Sequence, residues 1–211
     1  MTADDQTQVD PDWAAYYRHT IGREPRPLFA RGTAALAAAR TEPGQAVEVG
    51  FGDGTETIAL LQAGWRVLAI DATPQAADVL AARVPAGAED RLEVRVASAA
   101  SVDLPPFDLL YAGYALSFLE PAAFGRFWTG VRDRLRPGGF VVVNIFGVRD
   151  SWAGDPDAAG MTFLDLDAVH RLLDGLEVIE IEEEDKDGDS FTGPKHWHVF
   201  DIVARRPPPQ A

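Results

Sequence analysis

The chain has 211 residues, no cysteine and a formal net charge of −14, from 33 Asp and Glu against 19 Lys and Arg. The missing cysteine excludes disulfide frameworks, thiolate nucleophiles, zinc–thiolate sites and iron–sulfur clusters, and the acidic balance disfavours nucleic acid, whose binders carry a basic footprint. No apolar run approaches the ~20 residues of a membrane span, and Met1–Gln6 lacks the basic and apolar regions of a secretory signal, so a cytoplasmic protein is expected.

Residues 1–10 read as a disordered acidic tail, 11–40 as a helical cap, and 41–206 as the core of a single domain. Asp12 to about Thr20 forms a short helix with Trp13, Tyr16 and Tyr17 on its apolar side. Gly22-Arg23-Glu24-Pro25-Arg26-Pro27 breaks it, and Pro27 opens a second helix through about Arg40, since proline suits a first helical turn. Strands and helices then alternate. Ala46–Val49 is a strand, Thr55–Ala63 a helix, and Trp65–Ile70 a strand ending at Asp71. Thr73 caps a helix that has Pro74 at its first position and runs to about Val84. Leu92–Val96 and Phe107–Ala112 are strands, and Pro121–Leu135 is a helix closed by a Pro137-Gly138-Gly139 turn. Phe140–Ile145 is apolar nearly throughout, as a strand covered on both faces should be. Asp165 caps a helix to about Leu173. Leu176–Glu182 and His198–Ala204 are the last strands, joined through a polar turn at Asp185–Ser190 with no room for a helix, so they pair antiparallel. The expected fold is α/β: a doubly wound, seven-stranded, mostly parallel sheet with one C-terminal antiparallel strand.

Gly50, Gly52 and Gly54 follow the first strand and precede a helix. Such glycines let the backbone approach a ligand at the carboxyl edge of the sheet. The Gly-x-Gly-x-Gly spacing is one residue tighter than a dinucleotide fingerprint. Glu48, two positions before Gly50, would repel a pyrophosphate and suits an amine-bearing, cationic ligand, acting through the loop it organises. Asp71 is placed to accept hydrogen bonds from ribose hydroxyls. These features point to a nucleoside without a pyrophosphate.

At these residues the sequence resembles the class I S-adenosylmethionine-dependent methyltransferases, over roughly residues 45–205. Glu48–Gly54 is similar to their first motif, Ala69-Ile70-Asp71 to their ribose-binding acid, Leu104–Leu110 to the segment entering their fourth strand, and Leu135–Gly139 to the turn before their fifth. The resemblance implies a Rossmann-like fold and S-adenosylmethionine held by Glu48, Gly50, Phe51, Gly52, Asp53, Gly54, Asp71, Ala72, Ser98, Ala99 and Ala112. Where the family often has an Asp for the adenine amino group, this chain has Ser98, with backbone near Ala99 to share the contact. Tyr17 with Gly22–Pro25, Arg149–Trp152 and Lys195–His198 look like bacterial small-molecule methyltransferases.

Methyl transfer needs an aligned acceptor, exclusion of water and, for a protonated acceptor, a base. Parallel strands end at the ligand edge and an antiparallel last strand begins there. That puts Tyr114 and Ser117, Asp150 and Trp152, and Lys195, His196, Trp197 and His198 near the rim. The N-terminal aromatic segment Trp13–His19, which includes Tyr17, is expected to form a lid over the cofactor. His196, His198 and Tyr114 are the candidate catalytic groups, and Tyr17, Tyr114, Ser117, Asp150, Trp152 and Lys195 the candidate substrate contacts. Each also has a structural reading, as strand, core or turn residue; His19 and His170 are expected on the surface. His196-x-His198 lacks a third ligand at suitable spacing, so no metal is expected. The expected partner is a small-molecule acceptor, with no nucleic acid and no membrane. A nicotinamide-dependent oxidoreductase, and a cofactor-binding fold that transfers no methyl group, are the alternatives.

Overall fold

A computed structural model describes residues 13–39 and 42–208. The expected tail at 1–10, the helix start at Asp12 and the helix end at Arg40 lie outside them. Seven strands, β1 Gln45–Val49, β2 Arg66–Asp71, β3 Leu92–Val96, β4 Phe107–Ala112, β5 Leu135–Phe146, β6 Glu177–Ser190 and β7 Gly193–Arg205, form one sheet in the order β3-β2-β1-β4-β5-β7-β6. β7 alone is antiparallel to its neighbours, pairing with β5 on one side and β6 on the other. The strand order turns back between β1 and β4, so the ends of these two strands flank the switch point where doubly wound sheets bind ligands.

Side chains alternate across the sheet and give it two apolar faces. Val47, Leu110, Val141 and Ile202 pack under α5 (Pro121–Arg134) and α6 (Leu166–Leu172). Ala46, Val67, Leu109 and Val142 pack under α1 (Trp13–Thr20), α2 (Pro27–Ala39), α3 (Thr55–Gln62) and α4 (Pro74–Ala81). Helices on both faces explain why the central strands are almost wholly apolar. Among the described residues no helix is long and apolar enough to cross a membrane.

Three local expectations are corrected. Asp185–Ser190 is not a turn: β6 runs on to Ser190, and the hairpin reverses at Phe191 and Thr192. β6 is an exposed edge strand, where charged side chains are tolerated, and those of this stretch are taken up in cross-strand pairs such as His196 with Asp185 and Asp187. Leu135–Gly139 belongs to β5, which begins directly after α5 with Leu135 opposite Phe107. Thr73 occupies the N-cap of α4 but its side chain makes no cap bond; its hydroxyl accepts from Tyr17 instead.

Candidate active site

The loop after β1 carries the site. Gly50, Gly52 and Gly54 have φ of 71°, 52° and 77°, left-handed values that side chains with a Cβ rarely adopt. A Cβ on Gly54 would also sit 2.6 Å from Leu80 of α4. Asp71, at the end of β2, holds this loop to the next: one carboxylate oxygen accepts from the Gly52 amide (3.0 Å), the other from the Thr73 amide (2.9 Å) and the Tyr17 hydroxyl (3.4 Å). A cavity of about 1070 Å³ opens over these loops. Gly50, Phe51, Gly52, Asp53, Asp71, Ala72, Ser98 and Ala99 all line it, whereas Glu48, Gly54 and Ala112 lie behind the wall.

Glu48 is 1% exposed and accepts a hydrogen bond from the Thr57 hydroxyl, tying β1 to the first turn of α3. Burial pushes its carboxyl well above the ordinary value; the neighbouring Glu56 raises it further, while the Thr57 hydroxyl and Arg23 oppose the shift. A carboxyl raised by folding contributes stability that is complete below its unfolded value and is lost as pH rises through the folded one. Glu48→Gln removes this loss. Thermal melts of both proteins are expected to show the variant's Tm gaining on the parent's as pH rises above about 5. A constant difference would mean that Glu48 is ionised in the folded chain throughout.

The segment that breaks the first two helices supplies charges that sequence reasoning missed. Arg23 donates two hydrogen bonds to Glu56 (2.6 and 2.5 Å), and its Nε lies 3.2 Å from Asp53. The Arg26 amide donates to Glu56 (2.9 Å), and its guanidinium donates to the Tyr16 hydroxyl (3.0 Å) and lies 4.9 Å from the centre of the Tyr114 ring. Arg23, Arg26, Glu56 and Tyr111 all line the cavity. The Tyr111 hydroxyl is buried without a hydrogen-bond partner among the described residues, and burial raises its pKa well above the ordinary value, so it stays protonated. The available signal was two arginines, one on either side of Pro25, between Gly22 and Pro27.

The opposite wall is aromatic. Tyr114 has φ 54°, the sole positive value on a non-glycine among the described residues, and its amide donates to the Asn144 side chain (2.6 Å). Such strain persists where surrounding structure enforces it, often at functional sites. Burial pushes the Tyr114 hydroxyl up to about 12, with Asp201 adding to the shift. Trp152 also lines the cavity. Beneath it the Lys195 ammonium is paired with Asp150, the two side chains 1% and 0% exposed, and lies 4.0 Å from the Trp152 ring and 4.6 Å from the Trp197 ring. Ser117 lies outside the cavity too: its hydroxyl accepts from the Phe146 amide (2.9 Å). Tyr17 is on the cavity wall as a lid residue would be, 4% exposed.

The histidines are positioned differently from expectation. Trp197 lines the cavity, and strand alternation turns its neighbours His196 and His198 to the other face of β7. His198 is fully buried: its Nδ1 accepts from the Arg149 amide (3.0 Å), which leaves Nε2 to donate to Glu183 (2.9 Å). His196 is held by Asp187 (2.8 Å) and Asp185 (2.7 Å). Glu183, Asp185 and His198 bring ligand atoms within 4.8 Å of one another, but the Arg149 guanidinium already bridges the two carboxylates, so the group is an ion-pair network. His19, expected on the surface, is exposed but also lines the cavity, with its ring 5.9 Å from Phe191.

A glycine loop at the switch point, an acid closing β2 and a cavity over both lie together at the carboxyl edge of the sheet. Residues 47–141 match the family model described as a methyltransferase domain. Among solved structures, the chain is similar to the 1,6-didemethyltoxoflavin-N1-methyltransferase of Burkholderia thailandensis (20% identity, 93% of this chain and 86% of that one, TM-score 0.63). It is similar also to the N-methyltransferase NodS of Bradyrhizobium japonicum (16%, 93% and 100%, 0.62) and to the [4+2]-cyclase SpnF (18%, 85% and 81%, 0.59). No curated protein matches the chain. The chain therefore has the Rossmann-like fold of the class I S-adenosylmethionine-dependent methyltransferases, and its residues 47–141 match the model of a methyltransferase domain.

Proposed function

We propose that the chain transfers the methyl group of S-adenosylmethionine to a nitrogen, oxygen or sulfur atom of a small molecule in the cytoplasm. The observation that carries this reading is one cavity running from the glycine loop and Asp71 to an aromatic wall. The residues fit the cofactor. Asp71 would accept from the ribose hydroxyls, the Gly50–Asp53 backbone would pack against the nucleoside, and Ala72, Ser98 and Ala99 would flank the base. Arg26 and the unpartnered Tyr111 hydroxyl, both close to Gly113, suit the carboxylate of the amino-acid part. Glu48 shapes the loop from behind. When bound, the cofactor supplies an electrophilic sulfonium methyl.

The chain's own residues then align the acceptor and keep water out. Tyr17 and Trp13 cover the opening, and Tyr114 and Trp152 wall the acceptor side. Ser117, Asp150 and Lys195 act from behind that wall. Tyr114, held protonated by burial, serves as a hydrogen-bond donor to the acceptor. His196 and His198 face away from the cavity, so we assign neither a proton-transfer role. An acceptor with a free lone pair, such as an amine or ring nitrogen, needs no base and suits such a wall best.

Incubation with methyl-tritiated S-adenosylmethionine and a panel of small amines, phenols and thiols tests the reading. Label in an acceptor, with S-adenosylhomocysteine released in equal amount, is the expected result. The likeness to SpnF favours a second reading, in which the cofactor is bound but not consumed; binding without label transfer or release across the panel would support it.

A further inference from the structure

We infer that the methyl acceptor is a flat aromatic or heteroaromatic molecule without net negative charge; this rests on the methyltransferase reading above. Six rings from separate segments, Trp13, Tyr114, Phe118, Phe146, Trp152 and Trp197, line the cavity. They touch in sequence. Trp13 meets Phe118 at 5.5 Å, Phe118 meets Trp152 at 6.1 Å, Trp152 meets Phe146 at 5.7 Å, and Tyr114 meets Trp197 at 5.8 Å between ring centres. Most of these pairs are edge to face, each ring buttressed by the next. Aromatic walls recognise flat π systems by stacking and edge contacts worth ~0.5–1.5 kcal/mol per pair beyond area.

Charge sets the second half of the inference. The cavity is also lined by Asp155, Asp157, Glu184 and Asp189. The lining ammonium of Lys186 is held by Glu184 at 2.8 Å, and Lys195 lies behind the wall against Asp150. Arg23 is taken up by Glu56 and Asp53 at the glycine-loop end, and Arg26 lies at the same end beside Gly113. Arg26, whose guanidinium lies 4.9 Å over the Tyr114 ring, is assigned to the carboxylate of the cofactor, so an anionic acceptor would lose hydration and find every lining arginine and lysine already engaged, whereas a neutral or cationic ring meets π faces and acidic groups. The acceptor class is thus set by rings that belong to no cofactor contact.

Calorimetry separates this inference from the one beneath it. S-adenosylhomocysteine is titrated first, and its failure to bind overturns the methyltransferase reading. The loaded protein is then titrated with 2-naphthol, decahydro-2-naphthol and 6-hydroxy-2-naphthoate. The expected result is 2-naphthol binding at least ~10-fold more tightly than either of the others. Equal or tighter binding of the saturated or anionic probe, or no binding of 2-naphthol, overturns the inference while leaving the cofactor reading intact. Trp152→Leu should erase the preference and Trp152→Phe should keep it; preference retained in a folded Trp152→Leu protein also counts against it.

Discussion

Asp71→Ala is expected to weaken S-adenosylhomocysteine binding by about a hundredfold or more. The carboxylate is 7% exposed and lies on the cavity wall at the end of β2. Each hydrogen bond from a ribose hydroxyl to a charged acceptor is worth ~1.5–3 kcal/mol, and two such bonds are lost together. The loss extends into the loops, because the Gly52 and Thr73 amides would both lose their acceptor. Asp71→Asn keeps one carbonyl oxygen and the volume, so it should fall between the variant and the parent. Calorimetry reads both affinities, and thermal melts check that each variant is folded. Unchanged affinity in a folded Asp71→Ala protein would remove the ribose assignment.

Lys195→Ala should carry the largest stability loss, ~3–5 kcal/mol, because it strands a buried carboxylate. The Asp150 side chain has no exposure and accepts from the Trp152 amide (3.0 Å) and the His198 amide (3.3 Å) as well as from Lys195. Burial lowers the Lys195 pKa while Asp150 opposes the shift, so the ammonium depends on its partner to remain charged. The double variant Lys195→Ala, Asp150→Ala should lose less than the sum of the single losses, since it leaves no unpaired charge. Urea melts of the four proteins give the coupling directly. Additive losses would mean that the pair contributes packing alone. The same loss should disturb the acceptor wall, because the ammonium sits between the Trp152 and Trp197 rings.

Much of the framework was legible in the chain, for physical reasons. Short apolar segments such as Val67–Ile70 and Leu109–Ala112 have no other way to bury both faces than a covered parallel sheet. The tight glycine spacing and the acid closing β2 marked the end of the sheet where the cavity opens. The charged stretch Asp185–Ser190 misled, because its composition reads as a turn while the exposed edge of the sheet lets it pair as strand. The rim argument put residues 195–198 at the correct end of β7, but the end of a strand does not tell which face a side chain takes. With Trp197 on the cavity, alternation sends both histidines to the opposite face. Arg23 and Arg26 were hidden for a different cause: they sit in a helix-breaking loop, and only the packing of α1 and α2 brings them to the glycine loop.

In the function proposed above, the loop between β1 and α3 holds an S-adenosyl nucleoside and not a dinucleotide. Parallel calorimetric titrations of the unmodified protein with S-adenosylhomocysteine and with NADH address it most directly. Saturable one-to-one binding of S-adenosylhomocysteine and no heat from NADH are expected. Binding of NADH with none of S-adenosylhomocysteine would contradict it.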